Sequence, residues 1–196
     1  GTIPPSPATP GLVRARTFRS RHRGIDVTAV TVRPAGVTSP RGLPVVIALH
    51  GSGATASALV SALALDHYLT DAVAHRRVPS LTIVAVDGGI DTYWHRRASG
   101  DDPLAMITDE LLPRLRRQGA LIDRIGVIGW SMGGYGALLL AERMGTRRIA
   151  AMAASSPALF PDYENARATN RFAFDDPADF ARRSPAPGRR PGHGMP

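Results

Sequence analysis

The chain of 196 residues contains no cysteine, no lysine and no long run of apolar residues. The absence of cysteine excludes disulfides, thiolate metal ligands and a cysteine nucleophile. No apolar run approaches the roughly 18 residues that a membrane-spanning helix needs. Hydrophobic residues make up 43% and charged residues 20% of the chain, which is typical of a globular protein rather than of a disordered one.

All 24 basic residues are arginines, and they give the chain a net charge of +8. Five of them lie in residues 1–24 and four in residues 181–196, and neither segment contains an acid. We attribute the exclusive use of arginine to a GC-rich coding bias. We expect no nucleic-acid partner, because such a partner calls for basic residues grouped on a folded face, ideally with aromatic residues between them.

Alternation of strand-like and helix-like segments predicts an α/β fold with a mostly parallel sheet and helices on both faces. An edge hairpin is predicted at Val13–Ser20 and Ile25–Val32. Short apolar runs predict buried strands at Pro44–Leu49, Leu81–Val86, Arg124–Ile128 and Ile149–Ala153. Helices are predicted at Thr55–His75 with a break near Asp66, from Pro103 with a kink at Pro113, at Tyr135–Met144 and at Asp176–Arg183. No convincing strand follows Ala153.

Composition divides the chain into three parts. Residues 1–10 are rich in proline and form a flexible lead-in, residues 11–183 form one α/β domain, and residues 184–196 form a disordered basic tail. The proline-rich start and the lack of cysteine are compatible with export, and the sequence leaves the compartment and the oligomeric state open.

The segment Gly129-Trp130-Ser131-Met132-Gly133 matches the pattern G-x-S-x-G and lies between a predicted strand and a predicted helix. In that context the pattern is typical of a sharp turn that holds the serine in a strained conformation, while the glycines let the strand and helix approach. We therefore predict that Ser131 is a nucleophile. The alternative is a glycine-rich turn with a passive serine.

A second glycine-rich turn, His50-Gly51-Ser52-Gly53, follows the strand Pro44–Leu49. Its backbone N–H groups can face a developing oxyanion. We expect the two oxyanion donors to be Met132, directly after the nucleophile, and Ser52, with Gly53 as the second choice. We interpret His50 as a structural residue. Tyr93-Trp94-His95, together with Asp87, forms either the wall of a substrate pocket or a packed loop.

The motifs HGSG, VDGG followed by YWH, and GWSMGGYGALLLAE resemble the α/β-hydrolase superfamily. The chain is most similar to serine esterases related to S-formylglutathione hydrolase (esterase D) and to the mycolyltransferases. This resemblance covers about Val13 to Leu159 and implies hydrolysis of small acyl esters. It places Ser131 at the nucleophile position and Ser52 and Met132 at the oxyanion-hole positions.

The resemblance also implies an acid and a histidine after the nucleophile, in the order Ser, Asp, His. Only His193 follows Ser131, in a segment of proline, glycine and arginine, and Asp176 is the acid that keeps the order. Two interpretations remain open. Either the C-terminal strands and the catalytic histidine are missing from this chain, which we favour, or Ser131, Asp176 and His193 form a rearranged triad.

These observations predict a serine hydrolase that cleaves small carboxylic esters through an acyl-enzyme on Ser131. The alternatives are an acyltransferase that uses a sugar or lipid alcohol, and a catalytically inactive relative that binds a ligand or partner. No metal-ligand cluster or phosphate-binding loop is found, so we expect neither a metal nor a cofactor. The expected partner is a small ester.

Overall fold

The computed structural model describes residues 7–185, and six strands in that range form one sheet in the order β1-β2-β4-β3-β5-β6. The strands are β1 (Leu12–Arg19), β2 (Asp26–Arg33), β3 (Pro44–Leu49), β4 (Thr82–Val86), β5 (Leu121–Trp130) and β6 (Ile149–Ser155). The α-helices are α1 (Ala56–Ala62), α2 (Leu65–Ala74), α3 (Pro103–Ala105), α4 (Leu112–Arg117), α5 (Met132–Met144), α6 (Tyr163–Thr169) and α7 (Pro177–Arg183).

The sheet is parallel from β4 to β6 and antiparallel at its other side. β1 pairs with β2 along its whole length, from Leu12 opposite Arg33 to Arg19 opposite Asp26. β2 runs antiparallel to β4, and β4, β3, β5 and β6 are parallel to one another. The predicted edge hairpin and the mostly parallel α/β sheet are confirmed.

Helices pack on both faces of the sheet, as predicted. Alternate residues of one strand face opposite sides, because side chains in a strand have a period of two. Ala48 of β3 packs with Leu59 and Val60 of α1, whereas Ile47 belongs to the core beneath α4 and α5. Both Ala48 and Ile47 are fully buried, which explains the continuous apolar run in this strand.

The helices follow the predictions with differences in detail. The predicted helix Thr55–His75 is broken at Ala64, which has a φ of 45° and lies two residues before Asp66. A π-helical segment, Met106–Leu111, precedes the predicted kink at Pro113. This wider turn fits the proline, which has no N–H to donate. The structure also adds α6, which the sequence did not predict.

The outer edge of β6 has no neighbouring strand within residues 7–185. Trp130 at the end of β5 is 47% exposed and Met152 in β6 is 41% exposed. In the part of the chain that the structure describes, this side of the sheet therefore presents uncovered apolar side chains.

The arginines near the N-terminus lie in the folded hairpin and not in a solvated end. The guanidinium of Arg23 forms two hydrogen bonds with Asp101, at 2.8 and 2.9 Å, and is almost fully buried. The carboxylate of buried Glu110 accepts hydrogen bonds from the Ser20 hydroxyl at 2.5 Å and from the Arg21 N–H at 2.8 Å. The five arginines of residues 1–24 therefore lie in the folded part of the chain, after β1 begins at Leu12.

The predicted lead-in 1–10 and basic tail 184–196 fall largely outside the described residues and stay predictions. Among residues 7–185, no helix has the length and apolar character needed to cross a bilayer.

Candidate active site

Ser131 lies in a sharp turn between β5 and α5. Its φ of 54° and ψ of −116° are rare for a residue with a side chain and cost of order 1–3 kcal/mol. Hydrogen bonds hold this conformation: the Ser131 N–H donates to Ser155 O at 3.0 Å, and Ser131 O accepts from the N–H groups of Tyr135 and Ala158. The turn has the backbone geometry that the G-x-S-x-G pattern predicts.

The two glycines of the motif sit where backbones touch. A Cβ on Gly133 would lie 2.7 Å from His50 O and even closer to the Leu49 carbonyl. A Cβ on Gly129 would overlap the Gly133 carbonyl. Since real Cβ atoms do not approach backbone atoms so closely, any larger residue would force the strand and helix apart.

The His50–Gly53 turn lies beside Ser131. A Cβ on Gly51 would be 3.6 Å from the Ser131 Cβ. The Gly53 N–H already donates to Ile90 O at 3.0 Å, so it is engaged elsewhere. Within residues 7–185, no acceptor is found for the Ser52 N–H or for the Gly51 N–H, so Gly53 is the engaged one.

Met132 is the first residue of α5, so its N–H has no acceptor inside the helix. The N-terminal end of α5 therefore presents a free N–H and the positive end of the helix dipole next to Ser131. The N–H groups of Met132 and Ser52 both lack an acceptor within residues 7–185, and they belong to the two segments that meet at Ser131.

The side chain of Ser52 fixes its loop to the neighbouring one. Its hydroxyl donates to the Asp91 carboxylate, and the Asn170 amide donates to the same oxygen at 2.8 Å. These contacts join the loop after β3 to the loop after β4 and to the segment after α6.

His50 is fully buried, and both of its ring nitrogens are engaged. The Gly88 N–H donates to Nε2 at 2.9 Å, so Nε2 is the acceptor and Nδ1–H donates to Gly51 O at 2.8 Å. Burial lowers the pKa of His50, which keeps the ring neutral. This ring links the loops after β3 and β4, in agreement with its predicted structural role.

The loop Tyr93-Trp94-His95 packs in the core and does not form a pocket wall. These three side chains are at most 3% exposed, and the Trp94 Nε1–H donates to His50 O at 3.2 Å. Tyr93 and Trp94 both have positive φ values, which the surrounding packing stabilises. Asp87 also has a structural contact, since its carboxylate accepts from the Ala56 N–H at the start of α1.

No histidine within residues 7–185 forms a hydrogen bond with Ser131. Each of the five there has another partner: Asp109 for His22, Gly88 and Gly51 for His50, Pro7 for His67, Asp71 for His75, and Arg96 and Ala173 for His95. His193 lies outside the described residues.

Asp176, the acid of the rearranged triad, caps a helix. Its carboxylate accepts the Asp179 N–H at 2.6 Å at the start of α7. Such a cap contributes about 1 kcal/mol to stability and engages the side chain locally. Asp175 binds Arg97 and the Ala98 N–H, so this neighbouring carboxylate is also occupied.

The segment after β6 packs on an aromatic cluster that the sequence did not predict. Phe174 contacts the rings of Tyr93, Tyr135 and Phe180 at centroid distances of 5.0 to 6.0 Å. The Tyr135 hydroxyl donates to Arg183 O at 2.7 Å, which fixes the end of α7. The only sequence signal was the aromatic content of residues 160–180, which has no regular period.

Comparisons with known proteins agree with this geometry. The family profile described as "Putative esterase" matches residues 24–191. No curated protein sequence is significantly similar to the chain.

Solved structures of esterases share the fold. An S-formylglutathione hydrolase from Agrobacterium tumefaciens has a TM-score of 0.69 and 21% identity, over 90% of this chain and 70% of its own. A ferulic acid esterase from the fungus Anaeromyces mucronatus has a TM-score of 0.65 and 18% identity, over 76% of this chain and 60% of its own. A fluorophosphonate-binding serine hydrolase from Staphylococcus aureus has a TM-score of 0.65 and 17% identity, over 81% of this chain and 61% of its own. The chain thus spans less than two thirds of the length of the ferulic acid esterase and of the Staphylococcus aureus hydrolase.

Proposed function

The chain belongs to the esterase family, and from this premise we propose that it hydrolyses small carboxylic esters through an acyl-enzyme on Ser131. The observation that carries the proposal is the strained, left-handed Ser131 at the start of α5, with φ at 54°. Such strain persists only where the surroundings enforce it, and it is typical of a functional position. Family membership favours hydrolysis over acyl transfer and over a non-catalytic role.

In the proposed reaction, the Ser131 oxygen attacks the carbonyl carbon of the ester and its proton passes to a base. The electron pair of the carbonyl bond moves to the oxygen, and the N–H groups of Met132 and Ser52 stabilise this oxyanion. Loss of one such donor typically costs a factor of about 10²–10³ in kcat. The intermediate then breaks its bond to the alcohol, which leaves with a proton, and water hydrolyses the acyl-enzyme.

Exposed apolar side chains on the loops around Ser131 support a substrate with an apolar acyl group. Ile90 is 68% exposed and precedes Asp91, which binds the Ser52 hydroxyl. Leu159 is 51% exposed and follows Ala158, whose N–H donates to Ser131 O. Single exposed apolar residues are common, but these two flank the same serine from two different loops.

The test is covalent labelling with a fluorophosphonate together with hydrolysis of short-chain p-nitrophenyl esters. We expect label on Ser131 alone, and we expect Ser131→Ala to lose both label and hydrolysis while its thermal unfolding stays unchanged. Ser156→Ala is the matched control, because Ser156 is an exposed serine with a φ of 45° directly after β6. Label on Ser156, or full activity in Ser131→Ala, would contradict the proposal.

A second variant tests the donor from the His50–Gly53 turn. Ser52→Ala keeps the backbone N–H but removes the hydroxyl that binds Asp91, so the donor stays present and becomes less firmly placed. We expect kcat to fall by about tenfold or less, since one loop contact is lost and not the donor itself. Activity as low as in Ser131→Ala would mean that the hydroxyl takes part in the chemistry directly.

A further inference from the structure

A groove of about 540 Å³ lies between the β1–β2 hairpin and α4, away from the candidate active site. None of the residues that line it is acidic, and five are arginines: Arg14, Arg16, Arg33, Arg114 and Arg117. The strand order places β4 and β3 between β2 and β5, so the sheet separates this groove from Ser131. We call it the arginine groove.

None of the five arginines of this groove forms an ion pair within residues 7–185, although the groove brings them together. Arg23 and Arg97, by contrast, each bind an aspartate at 2.7 to 2.8 Å. Arg33 is only 5% exposed, and its side-chain contact is a hydrogen bond from Nε to Val37 O at 3.1 Å. A buried charge without a counter-ion is rare in proteins, because burial without a partner is costly.

The hairpin brings these like charges onto one face. Arg14 lies opposite Thr31, and Arg16 lies opposite Ala29. Ala29, Thr31 and Arg33 are alternate residues of β2 and share one face of the sheet. Arg14 and Arg16 therefore point to the same side as Arg33. Burial, followed by the charges of Arg14 and Arg16, lowers the pKa of Arg33. Mutual repulsion of this kind is relieved when an anion binds among the guanidinium groups.

The lining of the groove combines charged, polar and apolar side chains. Leu111 and Leu115 are buried there, and the guanidinium of Arg114 stacks over the Phe18 ring at 4.6 Å from its centroid. A coding bias toward arginine would explain the residue type but not the exclusion of acids. The volume lies within the range of about 300–1,000 Å³ that is typical of small-molecule sites.

We propose that the arginine groove binds a small phosphorylated organic molecule, with its phosphate among the guanidinium groups and its apolar part against Leu111 and Leu115. Guanidinium groups bind phosphate oxygens in pairs, with two parallel hydrogen bonds. The groove holds one such molecule. A nucleic acid contacts a much larger surface, typically at least 1,000 Å² of protein, so it fits this groove less well.

The test is isothermal titration of the full chain with 1-naphthyl phosphate, with inorganic phosphate and 1-naphthol as the two halves of the probe. We expect saturable binding of 1-naphthyl phosphate that is at least about tenfold tighter than that of phosphate, and none of 1-naphthol. Arg14→Gln and Arg16→Gln remove exposed charges and should fold normally. Each should weaken binding about five- to tenfold, as expected for one charge-assisted contact.

Arg147→Gln is the matched control, because Arg147 is exposed, lies outside the groove and makes the same change in net charge. It should change the affinity by less than about twofold, since a distant surface charge is screened by salt. Equal weakening in Arg147→Gln, or no saturable binding, would overturn the proposal.

Vesicles with anionic phospholipid and a DNA duplex are tested in parallel. The assignment to a small molecule would be overturned if the chain bound vesicles or DNA more tightly than 1-naphthyl phosphate and Arg16→Gln lost that binding.

Discussion

The close contact of strand and helix behind Ser131 gives a quantitative prediction. In Gly133→Ala, the new Cβ would lie 2.5 Å from the carbonyl carbon of Leu49 and 2.7 Å from His50 O. Both are backbone atoms at the end of β3, so they cannot rotate away. In Gly134→Ala, the nearest atom is the Pro157 Cα at 3.0 Å, in a loop that can move by a few tenths of an ångström.

Both substitutions gain the same helix propensity, about 1 kcal/mol for alanine over glycine. The difference in their free energies of unfolding therefore isolates the backbone clash. Overpacking typically costs about 1–3 kcal/mol, and we expect the upper end of this range where the clashing backbone cannot move. We expect Gly133→Ala to be less stable than Gly134→Ala by about 2–3 kcal/mol. For a chain of this size, that is a difference in Tm of roughly 4–12 °C. Thermal unfolding followed by circular dichroism measures it. Equal Tm values would show that the close approach does not constrain the turn.

Three further predictions concern protons and charges. His193→Ala should leave kcat/KM for a short ester unchanged, because Asp176 is engaged as a helix cap; a loss of about 100-fold in steady-state kinetics would show that His193 is the base. Burial lowers the pKa of His50, so the unfolded chain binds a proton more readily and the free energy of unfolding should fall as the pH drops below about 6.5. At about pH 6.5, nitrogen NMR should accordingly show His50 more neutral than a free histidine, with the proton on Nδ1, and a ring as charged as a free histidine would contradict the Gly88 contact. Burial alone would raise the pKa of Glu110, but its hydrogen bonds outweigh this and lower it. Its ionised form therefore stabilises the fold at neutral pH, and urea unfolding should show Glu110→Gln less stable by about 2 kcal/mol at pH 7, with a difference that shrinks as the pH falls below about 4.3.

Most of the sheet could be predicted because its signals are local. The runs Pro44–Leu49 and Leu81–Val86 are apolar at every position or nearly so, and the structure shows why, since β3 and β4 lie at the centre of the sheet with helices on both faces. The turn at Ser131 was predictable for the same reason. Its glycine spacing, its strand and its helix all lie within about twenty residues.

Long-range contacts explain what the sequence did not reveal. Tyr93 and Trp94 occupy a polar loop that looks exposed, yet their rings are buried against residues from α5 and from the segment after β6. Gly88 and Gly136 make room for Trp94, since a Cβ on either would lie against its ring. No local pattern encodes such packing, because the partners in α5 and after β6 are more than forty residues away in the chain. The hypothesis of a pocket wall failed for this reason.

The arginine groove was missed because charge was counted along the chain and not in space. Arg14 and Arg16 come from β1, Arg33 from β2, and Arg114 and Arg117 from α4. Acids such as Asp101 and Glu110 lie between them in sequence, but these carboxylates bind Arg23 and Ser20 at another place. Folding thus separates charges that the sequence mixes.

The two sites rest on different features of one sheet. The loops after β3, β4 and β5 meet because parallel strands end at the same edge, and this edge holds Ser131 beside the His50–Gly53 turn and the first residue of α5. The arginine groove depends instead on the antiparallel hairpin, where alternate residues of β1 and β2 share a face below α4. Because β3 and β4 lie between these regions in the sheet, substitutions at Arg14 or Arg16 change charges without touching the turn at Ser131. Esterase activity in those variants should therefore match that of the unchanged chain, and that result separates the proposed ligand site from the proposed chemistry.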